Sequence, residues 1–323
     1  MGKILHCGRS GIGMVVACAA FAVAAVVSSC VRRELYVKPD EGRVLLDIDW
    51  RELAPGEAEP DRMSVYFYGA DGSWVRGTAE NGRFDGMLPS GNYQVLVVNE
   101  TVEGVGYAGM EDFDRAYVYA LPSEGKVAGG DQWIGQPGWV YSAHVSDLSV
   151  AKEDTVRRAL APEPLVKRVV LNIRFTGDYD AVTGLSAVLT GVAPSVRLVT
   201  GECADGYASM TELDPRPAAA GVYTASVLVF GVSAVNPDGS PADNLVRLGL
   251  DFNNGGSQVI EENITGEGIE DPTEIEIDVN IDIEVSATSE AGFSAVVTRW
   301  EVTDGDEMEV DNRPGGTGFG NVG

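Results

Sequence analysis

Glu274-Ile275-Glu276-Ile277-Asp278-Val279-Asn280-Ile281-Asp282-Ile283-Glu284-Val285 alternates acidic or amide residues with β-branched aliphatic ones through all twelve positions. Successive side chains of an extended strand point to opposite faces, so one face of this segment is expected to pack a core. The other face is expected to carry five carboxylates and an amide into solvent. A helix would scatter these aliphatic side chains around its whole circumference, because its period is close to 3.6 residues. The segment therefore reads as a strand.

The same rhythm recurs on either side, punctuated by glycine-containing turns. Val44–Trp50 and Met63–Tyr68 read as strands, the second followed by the turn Ala70-Asp71-Gly72, and Phe84–Leu88 as a third. Tyr93–Val98 is continuously apolar after its first two residues, which suggests cover on both faces. Further strands are expected at Leu165–Phe175, Leu185–Val192, Gly221–Gly231, Leu245–Phe252 and Gly292–Val302. The fold class is all-β. The charged stretch Ala151–Pro164, with prolines at 162 and 164, is the expected link between two β-sandwich domains, at residues 43–160 and 165–312. Residues 313–323 form a glycine-rich tail.

Between Thr101 and Ser149 glycines interleave with aromatics, and long loops with short edge strands are expected. Trp133 and Trp139 lie there. An exposed pair of this kind can stack on sugar rings, which makes them the candidate ligand-binding aromatics. The competing reading is that they plug the end of a sandwich core, since large aromatics are usually well buried.

The first residues carry a different message. Lys3 and Arg9 precede an apolar, small-residue run from Ile12 to Val27, and Val27-Ser28-Ser29-Cys30 follows. This is the layout of a bacterial lipoprotein signal peptide, with residues 1–29 removed and Cys30 the lipidated first residue of the mature chain. More than one acyl chain on Cys30 gives stable anchoring, where one chain is marginal. Residues 30–42 are then a tether.

The net charge of −26 over 323 residues repels nucleic acid and anionic lipid, and the acids are spread along the chain as a soluble exterior requires. Of the four cysteines, Cys7 and Cys18 lie in the leader and Cys30 is consumed by lipid, which leaves Cys203 without a partner. His144 is the one histidine outside the leader, so a multi-histidine metal site is excluded and a catalytic dyad would rest on a single residue. Asn236-Pro237-Asp238-Gly239-Ser240 and Asp304-Gly305-Asp306-Glu307 look somewhat like calcium loops but lack the twelve-residue spacing, and Asp-Gly is first a turn dipeptide. No phosphate loop, nucleophile elbow or His-Glu-x-x-His helix occurs. A non-catalytic binding or structural role without metal or cofactor is the expectation.

The order of elements resembles the fimbrillin-like fimbrial anchor lipoproteins of the Bacteroidales. The resemblance runs from Cys30-Val31-Arg32-Arg33-Glu34-Leu35-Tyr36 and the strand ending Asp49-Trp50, through Met63–Gly72 and Leu88–Asn99, to Ala187–Ser195, Gly292-Phe293 and Trp300-Glu301-Val302. It implies two tandem transthyretin-like, Greek-key β-sandwich domains. It also implies an outer-membrane, cell-surface lipoprotein that anchors or helps assemble fimbriae, with fimbrial subunits as partners through strand complementation. The alternative is a cell-surface glycan- or ligand-binding lipoprotein. Two features depart from the family: the tail is too glycine-rich for a good donor strand, and the residues after Cys30 are basic.

Overall fold

The computed structural model describes residues 40–123, 132–207, 209–233, 235–236, 238–242, 244–265, 275–289 and 292–304. The leader, Cys30 and the glycine-rich tail lie outside these residues. The chain runs through β1 (Glu41–Ile48), β2 (Arg62–Gly69), β3 (Trp74–Glu80), β4 (Arg83–Pro89) and β5 (Gly91–Val98). The short β6 (Val105–Ala108), β7 (Tyr117–Ala120) and β8 (Gln132–Trp133) precede β9 (Tyr141–Val150), β10 (Thr155–Leu160) and β11 (Glu163–Pro164). There follow β12 (Lys167–Gly177), β13 (Val182–Val192), β14 (Ser195–Arg197), β15 (Ser209–Leu213), β16 (Arg216–Ala219) and β17 (Val222–Val229). The last strands are β18 (Leu245–Phe252), β19 (Ser257–Asn263), β20 (Glu276–Ala287) and β21 (Phe293–Asp304). Apart from one 3₁₀ turn at Tyr179–Ala181, the described residues contain no helix, as the alternating pattern requires.

Eight strands form the first sheet, in the order β10-β1-β4-β3-β2-β5-β9-β11. The β3–β4 hairpin turns through Asn81-Gly82, both with positive φ (49° and 73°), the backbone that an Asn-Gly pair adopts most readily. Those strands pair only at Glu80 and Arg83, so the sheet folds over on itself there. The Phe84 ring fills the fold, close enough that a Cβ on Gly77 or Gly86 would come within 2.4 or 2.6 Å of it. Phe67 meets Phe84 at 5.1 Å between ring centroids.

Val65 and Phe67 face this core, while Tyr66 and Tyr68, on the opposite face of β2, are buried under the segment after β5. There Tyr66 donates to Glu100, Tyr68 donates to the Met110 carbonyl, and Phe113 packs edge-on against Tyr68. Cover on both faces is thus why Val95 to Val98 are fully buried.

Two five-stranded sheets, β16-β17-β12-β20-β21 and β19-β18-β13-β15-β8, make the second sandwich. Its core joins Val169, Leu171, Ile173 and Phe175 of β12 with Ile277, Val279, Ile281, Ile283 and Val285 of β20, and with Leu189, Leu248 and Leu250 from the facing sheet. β12 and β20 run parallel as neighbours. The described residues from Glu41 onward fall in one compact unit, and pairing crosses the expected boundary, with β8 on β15 and β14 on β7. The stretch Ala151–Pro164 is not a plain link, because β10 within it runs parallel to β1 at the end of the first sheet.

The polar face of β20 also departs from expectation. Glu276, Asn280 and Asp282 are partly exposed and Glu284 is exposed, but Asp278 is buried, with 3% of its surface accessible. The reason is local. Asp278 is a short side chain on an inner strand, between the Arg168–Glu276 ion pair on one side and the hydrogen-bonded Asn172–Asn280 amides on the other. Burial and the neighbouring Glu276 charge hold its pKa above the ordinary carboxylate value, opposed by a hydrogen bond from Asn172. The native state therefore binds this proton more tightly than the unfolded chain does, and stability falls as pH rises through the raised value. Asp278→Asn, which keeps a polar partner for Asn172, should raise the melting temperature at neutral pH and leave it unchanged in acid where Asp278 is protonated. Equal shifts at both pH values would refute this origin.

Candidate functional site

The first sheet ends in two open edges. β10 pairs with β1 on one side alone, and β9 pairs on its outer side only at Tyr141 and Ser142, with the two residues of β11. Along Ala143–Val150 of β9 and along β10, no strand among the described residues occupies the outer edge. The tight turn Ala151–Asp154 joins the two strands, with Glu153 at a φ of 60°. A groove of about 320 Å³ lies at these edges, lined by His144 and Val145 from β9, Ala159 and Leu160 from β10, and by Leu165 and residues 198–201. The carbonyls of Asp154 and Leu160 accept from the Arg43 and Asp49 N–H groups. In a parallel ladder alternate residues turn both backbone groups to one neighbour, so Thr155, Arg157 and Ala159 turn theirs outward, where the Thr155 N–H donates to the Asp154 carboxylate and the Arg157 carbonyl accepts from the Arg158 guanidinium. This is a seam along which neither margin has a neighbouring strand among the described residues.

The two candidate tryptophans part company. Trp133 sits on β8 beside Met210 of β15. Trp139 lies at the wall of a second groove, of about 740 Å³, on the polar face of the β16-β17-β12-β20 sheet. Its ring stacks with Tyr141 at 6.4 Å and carries the Arg168 guanidinium 5.6 Å above it, and only 9% of the residue is exposed. The ring is thus packed in place and is not an open stacking platform. Arg168 also pairs with Glu276 at 3.2 Å, both half-buried, and Arg216 pairs with Asp214 at the rim.

No group of three potential metal ligands occurs among the described residues. Asp238, in one calcium-like loop, accepts from the Ser240 N–H and hydroxyl and so closes a turn. Burial pushes the Cys203 thiol pKa up, and the thiol donates to the Gly206 carbonyl.

A family model described as a domain of unknown function, DUF5119, matches residues 29–212. The chain belongs to the DUF5119 family. No curated protein matches it. Among solved structures, a proposed adhesin from Bacteroides ovatus superposes on this DUF5119 chain with a TM-score of 0.57 at 16% identity, covering 90% of this chain and 96% of that one. The fimbrial anchor protein Mfa2 from Porphyromonas gingivalis gives 0.55 at 10% identity, over 81% and 97% of the two chains. A proposed adhesin from Bacteroides thetaiotaomicron gives 0.53 at 12%, over 83% and 98%. At these identities the likeness is one of fold. It extends over nearly the full length of each of these proteins.

Proposed function

We propose that this DUF5119 protein is a non-catalytic outer-membrane lipoprotein of the cell surface that anchors or helps assemble fimbriae. Lipid on Cys30 holds it to the membrane, and the β9–β10 seam receives an extended segment of another fimbrial subunit by strand complementation. The observation that carries this reading is the pair of edges without a neighbouring strand, flanking a groove of about 320 Å³, on a fold shared with a fimbrial anchor protein. The start of the family match at Ser29, beside the expected processing site, supports the lipid anchor.

The test compares a gene deletion with two substitutions in the native host. Cys30→Ala should leave an unprocessed precursor that takes up no labelled palmitate, and should release filaments into the medium or change their length, as the deletion does. Ala159→Pro removes an outward N–H from the seam while sparing the ladder to β1, and proline is tolerated at such an edge. It should keep processing and palmitate and still reproduce the release. Filaments that stay cell-bound and normal in length in the deletion strain would remove the anchor reading. Normal filaments in Ala159→Pro alone would remove the seam.

A further inference from the structure

We infer that the Trp139 groove binds a neutral, hydroxyl-rich ligand, a short oligosaccharide. A buried indole N–H ordinarily has a hydrogen-bond partner. Trp139 is nine-tenths buried and fixed by Tyr141, Arg168 and the Asn99 amide on its carbonyl, yet its own N–H has none among the described residues. Trp139 is one of the residues that line the groove wall. The Gln136 amide and the Ser226 hydroxyl line the same groove, and neither side chain engages any described residue.

The charges in the groove decide the class of ligand. Arg168 is held by Glu276, and Arg216 by Asp214, so an anion would have to compete with a carboxylate for either guanidinium. A cation would meet each of these carboxylates already paired, with Glu57 the one remaining. A ligand with several hydroxyls asks neither pair to break, because each hydroxyl can donate once, to Glu276 or Glu57, and accept up to two hydrogen bonds, from among Arg168, Gln136 and the Trp139 N–H. The half-buried Arg168–Glu276 pair, oriented by the ring beneath it, offers these contacts without further ordering, which lowers the entropic cost of binding. The volume of about 740 Å³ falls within the usual range for small-ligand sites and admits a di- or trisaccharide. Trp133 is not part of this groove.

The purified full-length chain would be titrated calorimetrically with neutral trisaccharides (maltotriose, cellotriose, mannotriose and β-1,3-linked glucotriose). A sialylated trisaccharide and a chitosan trimer serve as charged counterparts. At least one neutral sugar should bind saturably at roughly millimolar concentration or below. Trp139→Phe, which keeps the ring and removes the N–H, and Glu276→Gln should each weaken that binding about tenfold. Trp133→Phe should leave it unchanged. Ser226→Tyr fills the groove from an exposed position on β17, where folding is not at stake, and should abolish binding; it decides the matter alone if Trp139→Phe fails to fold. No binding by any neutral sugar, binding that survives Ser226→Tyr, or tighter binding of either charged sugar overturns the inference.

Discussion

Phe67→Ala should destabilise the protein by about 3–5 kcal/mol, the usual cost of emptying a buried aromatic site. Phe67 has no accessible surface, meets Phe84 at 5.1 Å and Tyr93 at 6.4 Å, and lies where the first sheet folds over on itself. The cavity cannot close easily, because Val65 and Val95, the core neighbours beside it, are fixed in fully buried ladder positions. Against a total stability of roughly 5–15 kcal/mol the loss is large. It would be read as the shift of the denaturant midpoint at unchanged slope. Val75→Ala is the matched control: Val75 pairs with Phe67 across the β2–β3 ladder but is 46% exposed, so its loss should be below about 1 kcal/mol. Similar losses for the two would mean that Phe67 is not a core anchor.

The strands legible in the sequence are those whose alternation is unbroken. β20, β12 and β2 could be read because Ile277–Val285, Val169–Phe175 and Met63–Phe67 place an aliphatic or aromatic side chain at every second position. β9 could not, although it is ten residues long. Its register shifts between Tyr93 and Val95 of β5, where Ser146 and Asp147 together oppose Gln94, and this bulge breaks the period of two. β3 was hidden for a different reason. Its outward positions hold Trp74, Arg76, Thr78 and Glu80 and its inward ones include Gly77, so no apolar face is visible until Phe84 is seen to fill the missing volume. The Asn81-Gly82 turn beside it is a signal that the sequence does carry. β10 and the β12–β20 neighbours depend on parallel pairing between distant segments, which leaves no local pattern.

The same limit applies to the sites. Trp139 is visible as an aromatic in a glycine-rich stretch, but Glu57, Gln136, Arg168, Ser226 and Glu276 are brought to it by three separate strands and two loops. No spacing rule links them. Asp278 shows the converse error: alternation gives the face a residue belongs to, while its burial is set by the height of its neighbours on adjacent strands. The seam between β9 and β10 leaves no sequence pattern, because one margin is interrupted by a bulge and the other is defined only by parallel pairing with the distant β1.

Gly177→Ala should be costly for two reasons that a second glycine separates. Gly177 ends β12 at a φ of 69°, and a Cβ there would stand 2.3 Å from the Val285 carbonyl oxygen of β20. That oxygen accepts from the Asp178 N–H at 2.8 Å, and the Asp178 side chain accepts from the Ala287 N–H at 3.0 Å, so the contact lies inside a hydrogen-bonded junction. Backbone cannot rotate away as a side-chain tip can, so the parallel β12–β20 ladder must separate at its end. Gly72, at a φ of 82° in an exposed turn, has nothing within 4 Å of the same added atom. Gly72→Ala therefore reports the left-handed backbone alone, about 1–2 kcal/mol. Gly177→Ala should exceed it by about 1–3 kcal/mol, the range seen for overpacking in a region that cannot relax. The two variants would be compared by denaturant unfolding, with hydrogen exchange at Val285 and Ala287 as the local readout. Equal losses with undisturbed exchange at Ala287 would show that the junction accommodates the methyl group and that only the backbone conformation matters.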